Sequence, residues 1–192
     1  MNREQKKQQT RIQIKDAALS LFAEQGYEAT SIEQIVKQVG VAKGTFFNYF
    51  SSKDELICDL LSMFVMGEAK KLKDKPGPII PRMRMILFQL VQRFPLNKQL
   101  GRALFQATLG SSKALEAHNA AMHELIEALI PIIRQAQESG ELRKDMPPEM
   151  IAGLAYQTYF GALIVWSMND EQEPIDEQMA ITFDLFFRGI QA

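Results

Sequence analysis

Apolar positions recur at helical spacing along this chain, most clearly just after residue 30. Between residues 31 and 39 the apolar residues lie three and four positions apart, which puts them on one face of a helix: Ile32, Ile35, Val36 and Val39. Thr30 and Glu33 have the T-x-x-E spacing of a capping box. We therefore expect this helix to begin at Ser31.

Gly40 predicts the end of that helix, because glycine adopts the left-handed backbone conformation at little cost. The pattern then indicates a second short helix over about residues 42–49. Two short helices joined by a glycine-containing turn form a helix-turn-helix, and the second helix of such a motif can enter the DNA major groove.

The rest of the pattern predicts longer helices and no strands. Besides the two short helices, we expect helices over residues 4–25, 52–75, 79–94, 97–109, 112–139, 149–168 and 174–189. Ser51 or Ser52 is suited to cap the fourth helix, and Pro131 should kink or end the long helix that contains it. The stretch 75–78 contains two prolines and a glycine, so it reads as a linker.

Composition and charge place the chain among compact proteins with an uneven charge distribution. Hydrophobic residues make up 46% of its 192 residues, and the formal net charge is −1. Residues 1–15 carry five basic side chains and one acidic one, whereas residues 138–192 carry ten acidic and three basic ones. A positively charged N-terminal segment suits contact with a polyanion, and a solvated tail explains the same basic side chains equally well. Cys58 is the single cysteine of the sequence, so no disulfide can form within the chain. The sequence shows no apolar signal core and no apolar run of membrane-spanning length, and we expect a cytoplasmic protein.

Catalytic and metal-binding motifs are absent from the sequence. His118 and His123 are five residues apart, which is not the spacing of a helical metal pair, and no cysteine or carboxylate cluster completes a site. Cys58 has no histidine near it in sequence, so we expect a buried structural thiol. There is no phosphate-binding glycine loop and no G-x-S-x-G motif. From the sequence we therefore expect neither catalytic activity nor a bound cofactor or metal ion.

Many positions in fixed order make the N-terminal third similar to one known family. The first group is Ile14, Ala17, Ala18, Leu21, Phe22, Gly26 and Tyr27, and the second is Thr30, Ser31, Ile35, Gly40, Val41, Lys43, Gly44, Thr45, Tyr49, Phe50, Lys53 and Leu56. This pattern resembles the DNA-binding domain of the TetR family of bacterial transcriptional regulators. The resemblance implies an all-α fold, with a three-helix helix-turn-helix domain over residues 1–67 and a helical ligand-binding and dimerisation domain over residues 68–192.

The resemblance also implies which residues contact double-stranded DNA. Base contacts fall on Lys43, Gly44, Thr45 and Asn48, and phosphate contacts on Thr30, Ser31, Phe47, Tyr49 and Lys53. Lysine and asparagine can bind the edges of guanine and adenine, and glycine lets the backbone approach closely. Two residues in this region depart from the family pattern. Phe47 stands where the family usually has a tyrosine that reaches a phosphate, and Ala42 stands where a serine often caps the second short helix. We expect Phe46 and Phe50 to be core residues.

The last two helices are apolar on most of their surface, which predicts burial between two chains. In the resembled family these helices form a four-helix dimer interface. The residues we expect there are Leu154, Phe160, Leu163, Phe183, Phe186 and Phe187. Burial within one chain is the alternative.

The resemblance further implies a pocket in the second domain for a small apolar or aromatic effector. The expected lining residues are Met83, Phe88, Gln92, Phe105, Met122, His123, Gln157, Tyr159, Phe160 and Trp166. The function implied is a dimeric repressor that binds a pseudo-palindromic operator and is released by the effector. Two alternatives stay open: a constitutive dimeric regulator without an effector, and a helical small-molecule-binding protein without DNA function.

Overall fold

The fold is helical throughout the part of the chain that the structure describes. This computed structural model describes residues 2–74, 77–93, 97–169 and 174–192, except for the side chains of residues 73, 74 and 91–93. Within these ranges the helices are α1 (Arg3–Gln25), α2 (Ile32–Val39), α3 (Lys43–Phe47), α4 (Lys53–Asp74), α5 (Ile79–Arg93), α6 (Lys98–Gly110), α7 (Ser112–Glu138), α8 (Pro148–Met168) and α9 (Ile175–Ile190). The expected all-α class is confirmed. Part of the expected linker, Lys75 and Pro76, lies outside the described residues.

Helices α1, α2 and α3 pack into a small N-terminal core. The apolar faces seen in the sequence meet there, and the most deeply buried members are Ile14, Ala18, Ile35, Phe46 and Phe50. Phe46 and Phe50 are 0% and 1% exposed, which confirms their assignment to the core. Because these residues turn inward, the opposite face of α3 is left open to solvent.

The cap of α2 lies one residue later than the sequence suggested. Ser31 is the N-cap: its hydroxyl accepts a hydrogen bond from the Gln34 amide, and the Gln34 side chain accepts one from the Ser31 amide. The prediction that Thr30 and Glu33 form the capping box is therefore wrong. At the other end Gly40 takes the left-handed conformation with φ of 77°, as expected. Ala42 provides no side-chain cap for α3.

Helix α4 joins the N-terminal core to the rest of the molecule. The hydroxyl of Ser52, rather than that of Ser51, caps it by accepting from the Glu55 amide at 3.0 Å. Further along, α4 packs against α1 on one side and against α5, α6 and α7 on the other. A displacement of α4 must therefore change its contacts with both parts of the chain.

Helices α5 to α9 form a bundle with its own apolar core. Helix α7 continues through Pro131 as far as Glu138, so the proline does not end it. Pro148 occupies the first turn of α8, where a proline costs no helical hydrogen bond.

Glu141, in the turn between α7 and α8, connects distant parts of the bundle. Its carboxylate accepts the Ile79 and Ile80 amides at 2.7 and 3.0 Å, which satisfies the free N–H groups at the start of α5. Two residues on, the Arg143 amide donates to the Ile190 carbonyl at 2.9 Å, at the end of α9. The start of α5, the α7–α8 turn and the end of α9 are thus joined.

Helices α8 and α9 each divide their apolar residues between a buried and an exposed face. The buried face includes Leu163, Phe183 and Phe187, which are at most 3% exposed inside the chain. Phe160 also turns inward, since its ring lies 5.0 Å from that of Phe105. Leu163, Phe183 and Phe187 therefore belong to the chain's own core, and their assignment to a dimer interface is wrong. Phe160 is half-buried, so its assignment stays a prediction. Leu154 and Phe186 are half-buried.

The exposed face, called here the α8–α9 face, consists of other residues: Met150, Val165, Met168, Ile181 and Leu185, all more than half exposed. Within the described ranges, α8 is also the one helix long and apolar enough to span a membrane, contrary to our reading of the sequence. Since α8 packs against α6, α7 and α9, we interpret it as a bundle helix with one open face.

Candidate functional site

The open face of α3 displays most of the residues expected to read DNA bases. Lys43, Gly44 and Asn48 are exposed, and Thr45 is half-buried beside them. A Cβ atom built on Gly44 would meet nothing within 4 Å, so the fold does not require glycine there. A lysine, a threonine and an asparagine on one open surface offer donors, an acceptor and a methyl group, which are the groups that discriminate base pairs in the major groove.

Lys43 has a partner that the sequence did not reveal. Its ammonium group forms a salt bridge with the Glu33 carboxylate on α2, and both side chains are more than half exposed. The hydrogen bond from Lys43 lowers the pKa of Glu33. The ten-residue separation hides this pair from any rule based on one helix, although both residues flank the predicted turn.

The residues expected to contact phosphates fall into two groups. Ser31, Phe47 and Tyr49 are at least partly exposed near the open face of α3, and Phe47 is 49% exposed with its ring edge-on to Phe46. Thr30 is instead buried, and the half-buried Lys53 bonds to another part of the protein. Thr30 is 1% exposed, and its hydroxyl donates to the Gly26 carbonyl at 2.7 Å, so its side chain cannot reach a phosphate as expected.

Lys53 binds the loop that precedes α2. Its ammonium donates to the Tyr27 carbonyl at 2.7 Å and the Thr30 carbonyl at 2.9 Å, and it lies 4.0 Å from the centre of the Tyr27 ring. The Tyr27 hydroxyl in turn bonds the Asp54 carboxylate, and burial together with this bond raises the pKa of Tyr27. Two of the three N–H donors of Lys53 therefore hold the start of α4 to the loop that precedes the α2 cap. The expected phosphate contact of Lys53 stays a prediction.

Two apolar cavities lie inside the bundle. The inner cavity, of about 70 Å³, lies between α4, α5, α7, α8 and α9, and the middle cavity, of about 50 Å³, lies between α4, α7 and α8. Beyond them a larger opening of about 400 Å³, called here the outer cleft, separates α1 and α4 from α7. Burial raises the pKa values of Tyr156 and Tyr159 in the cavity walls to about 12, so both phenols are neutral at ordinary pH.

Known proteins match this chain in both sequence and structure. Residues 14–60 match the sequence model described as bacterial regulatory proteins, tetR family. The fatty acid metabolism regulator protein of Bacillus subtilis is 24% identical over 93% of this chain and 94% of its own length. A transcription regulator from Shewanella sp. PV-4 assigned to the same family has a structure that covers 95% of this chain and 98% of its own, with 26% identity and a TM-score of 0.56.

The chain belongs to the TetR family. It is accordingly a DNA-binding transcriptional regulator with an N-terminal helix-turn-helix. The fold is also shared by FadR of Thermus thermophilus, a TetR family repressor whose structure was solved with lauroyl-CoA; it is 24% identical, covers 95% of each chain and has a TM-score of 0.71.

The cavities of this TetR family protein include four of the residues expected to line a pocket. Met83 and Tyr159 line the inner cavity, and Met122, Tyr159 and Phe160 line the middle one. The other expected residues lie elsewhere. Phe88, His123 and Gln157 are exposed, Phe105 and Trp166 are buried away from both cavities, and the side chain of Gln92 lies outside the described residues.

His118 and Tyr156 line the middle cavity, and neither is among the pocket residues expected from the sequence. His118 Nε2 and Tyr156 Oη lie 2.5 Å apart and share a hydrogen bond, and burial lowers the pKa of His118. Helical spacing could have found His118, because Ala114, His118, Leu125 and Leu129 follow one face of α7 whereas His123 lies off it. The described residues contain no group of three histidine, cysteine, aspartate or glutamate side chains suited to a metal ion.

Proposed function

We propose that this TetR family protein is a homodimeric repressor that binds a pseudo-palindromic operator and is released by an effector with an apolar chain. Residues 1–67 serve as the DNA-binding domain, and residues 68–192 bind the effector and form the dimer. The open face of α3 carries the proposal, because it presents polar groups where a core-packing helix needs none.

In this proposal Lys43, Thr45 and Asn48 read base edges, and Gly44 allows the backbone of α3 to approach the groove. Ser31 and Tyr49 bind phosphates, while Phe47 packs on sugar because it lacks the hydroxyl of a tyrosine. Thr30 and Lys53 act indirectly, by holding the loop that presents Ser31.

We propose that the protein dimerises through the α8–α9 face. The face exposes five large apolar side chains on two adjacent helices, and such contiguous apolar surface marks an interaction site. A twofold dimer presents two α3 helices about 34–36 Å apart, or a multiple of that spacing, which selects a palindromic site.

The effector site is the pair of apolar cavities. They are small, so a chain of more than a few carbons must widen them, and α4 supplies part of each wall. Helix α4 also holds the loop before α2 through Lys53, so widening disturbs the position of α3. DNA and effector then weaken each other's binding by the same factor. The lauroyl-CoA bound by the T. thermophilus relative has a chain of this kind.

Selection from a pool of random DNA duplexes tests the proposal. The purified protein should enrich a palindromic sequence with two equal half-sites. Lys43→Ala should weaken binding to that sequence by about 1–3 kcal/mol and relax preference at one base pair per half-site, because a bidentate base contact is lost. Enrichment of no sequence, or of one half-site bound by a monomer, would refute the proposed repressor.

A constitutive regulator without an effector is the second candidate, and effector titration against the selected DNA separates the two. A regulator of this kind acts on the chromosome, so we place the protein in the cytoplasm. We assign it no catalytic activity.

A further inference from the structure

The two cavities and the outer cleft lie next to one another in a row. The inner and middle cavities share wall residues on α4, α7 and α8: Val65, Leu125, Tyr156 and Tyr159. The middle cavity and the outer cleft share Ser62, Met66, His118 and Ala121. This row of spaces, called here the path, extends from the apolar centre of the bundle, past the hydrogen-bonded pair His118 and Tyr156, to the surface between α1 and α7.

Polarity changes along this path. The inner cavity is lined by aliphatic and aromatic side chains, with two tyrosines as its polar members. The outer cleft is instead bordered by charged side chains from three helices: Arg11, Glu55, Asp59 and Glu124. A ligand that fills the whole path must therefore be an amphiphile, with its chain inside and its head group in the outer cleft.

The charged groups of the outer cleft differ in how well they are paired. Glu55 accepts from Ser51 and forms a salt bridge with Lys113 at 3.0 Å. Asp59 faces Arg11 Nη2 at 3.1 Å through one oxygen and Lys15 Nζ at 2.5 Å through the other. Glu55 is thus already occupied by protein donors. Asp59 Oδ2 is ion-paired with Lys15 but accepts no hydrogen bond, and Glu124 is exposed at the edge of the cleft.

Arg11 retains a donor without an acceptor. Its Nε is buried and has no hydrogen-bond partner, while its guanidinium lies 5.5 Å from the centre of the Phe50 ring. A buried N–H without an acceptor is costly and rare in folded proteins. An oxygen of a bound head group is the partner that this position lacks.

We propose that the outer cleft is a head-group site, in which Arg11 recognises an acceptor oxygen of a single-chain amphiphile whose tail lies in the two cavities. The head group is a carboxylate, an ester or thioester carbonyl, or a hydroxyl. This inference rests on the proposed effector site and adds the polar half of its ligand.

Arg11 also gives the ligand a direct contact with the DNA-binding part of the molecule. Arg11 and Lys15 lie on α1 and share Asp59 on α4, so these ion pairs hold the two helices together. A head group bound to Arg11 competes with Asp59 for the guanidinium. The effector therefore acts on α1 through its head group as well as on α4 through its chain.

Calorimetric titration with three twelve-carbon ligands below their micelle concentrations tests the head-group site. The ligands are dodecanoate, dodecan-1-ol and dodecylamine. The first two carry an acceptor oxygen for Arg11 and should bind the wild-type protein. The ammonium of dodecylamine cannot accept a hydrogen bond from Arg11 and is repelled by its charge, so dodecylamine should bind at least about tenfold more weakly.

Arg11→Lys is the decisive variant, because lysine keeps the charge that pairs with Asp59 and removes the Nε–H. Dodecanoate and dodecan-1-ol should each bind this variant about tenfold more weakly. Arg134→Lys, on the exposed side of α7, is the matched control and should bind both like the wild type. Equal binding by Arg11→Lys and the wild type, or tight binding of dodecylamine, overturns the head-group site.

Leu125→Trp separates this inference from the proposed effector site, because Leu125 lines both cavities and a larger side chain fills them. Loss of all chain binding in Leu125→Trp with full binding in Arg11→Lys would keep the effector site and remove the head-group site. Unchanged binding in Leu125→Trp would refute both.

Discussion

Gly44 shows how function and stability separate at a single residue of α3. Its backbone is not in the left-handed region, and a methyl group there would enter open space. Glycine in a helix is less favourable than alanine, so the protein keeps a residue that its fold would not choose. The proposed close approach of α3 to the DNA groove accounts for that choice.

Gly44→Ala should therefore raise the free energy of unfolding, by up to about 1 kcal/mol, and weaken binding to the selected palindrome. Urea titration measures the first effect and a binding titration the second. Gly67→Ala, at another open helical position on α4, should stabilise the protein without weakening DNA binding. Unchanged DNA affinity in Gly44→Ala would mean that no atom of DNA comes near this residue.

His118 gives the second prediction at this scale, through the pH dependence of stability. Burial lowers its pKa in the folded protein below the ordinary value of 6.5. A lowered pKa contributes stability that is present above pH 6.5 and is lost as the pH falls through the folded value, because unfolding then takes up a proton.

We expect the wild type to lose more stability than His118→Gln as the pH is lowered below about 6.5. Thermal melts of both proteins at a series of pH values provide the measurement. His123→Gln, altered at an exposed histidine on the same helix, should follow the wild type. Parallel curves for the wild type and His118→Gln would contradict the buried, neutral imidazole.

Helices α2 and α4 are coupled through a short loop rather than by packing against each other along their lengths. Lys53, in the first turn of α4, bonds two carbonyls of the loop that ends at the Ser31 cap. At this scale sequence patterns predicted the helices well, because each depends on its own apolar face and its end signals. They did not predict the burial of Thr30 or the two hydrogen bonds of Lys53, because both depend on a loop that joins different helices.

Lys53→Met tests the coupling between these elements. The substitution removes two charge-assisted hydrogen bonds, and we expect it to lower the free energy of unfolding by about 1.5–3 kcal/mol. Equilibrium urea unfolding gives the value. Lys37→Met, at an exposed position on α2, should change stability by less than about 0.5 kcal/mol. A stable Lys53→Met protein with a shallower salt dependence of DNA binding would instead restore Lys53 as a phosphate contact.

In the whole molecule, the α8–α9 face and the cavities share the same two helices. The sequence predicted that these helices are too apolar for a solvent-covered surface, but three of the side chains expected at the interface, Leu163, Phe183 and Phe187, are buried within the chain. Hydrophobicity alone does not tell which face of an apolar helix turns toward its own bundle; that depends on where α5, α6 and α7 pack. For the same reason His123 and Trp166 were assigned to a pocket that His118 and Tyr156 line.

Leu185→Glu should convert the proposed dimer into a monomer and abolish binding to the palindrome, because a carboxylate would be buried in the α8–α9 face without a partner. Sedimentation velocity at micromolar concentration measures the first effect. Leu109→Glu is the control, since Leu109 is 74% exposed at the end of α6. A wild-type protein that sediments as a monomer would remove the basis of the palindromic operator.

Glu141 joins three segments that are far apart in the chain, and this has a consequence for how the bundle opens. Both the start of α5 and the end of α9 are bonded to the α7–α8 turn, so unfolding of this turn breaks the hydrogen bonds of both. Their backbone amides should therefore exchange with deuterium as one cooperative unit, with one common free energy of opening, although 111 positions separate Ile79 from Ile190.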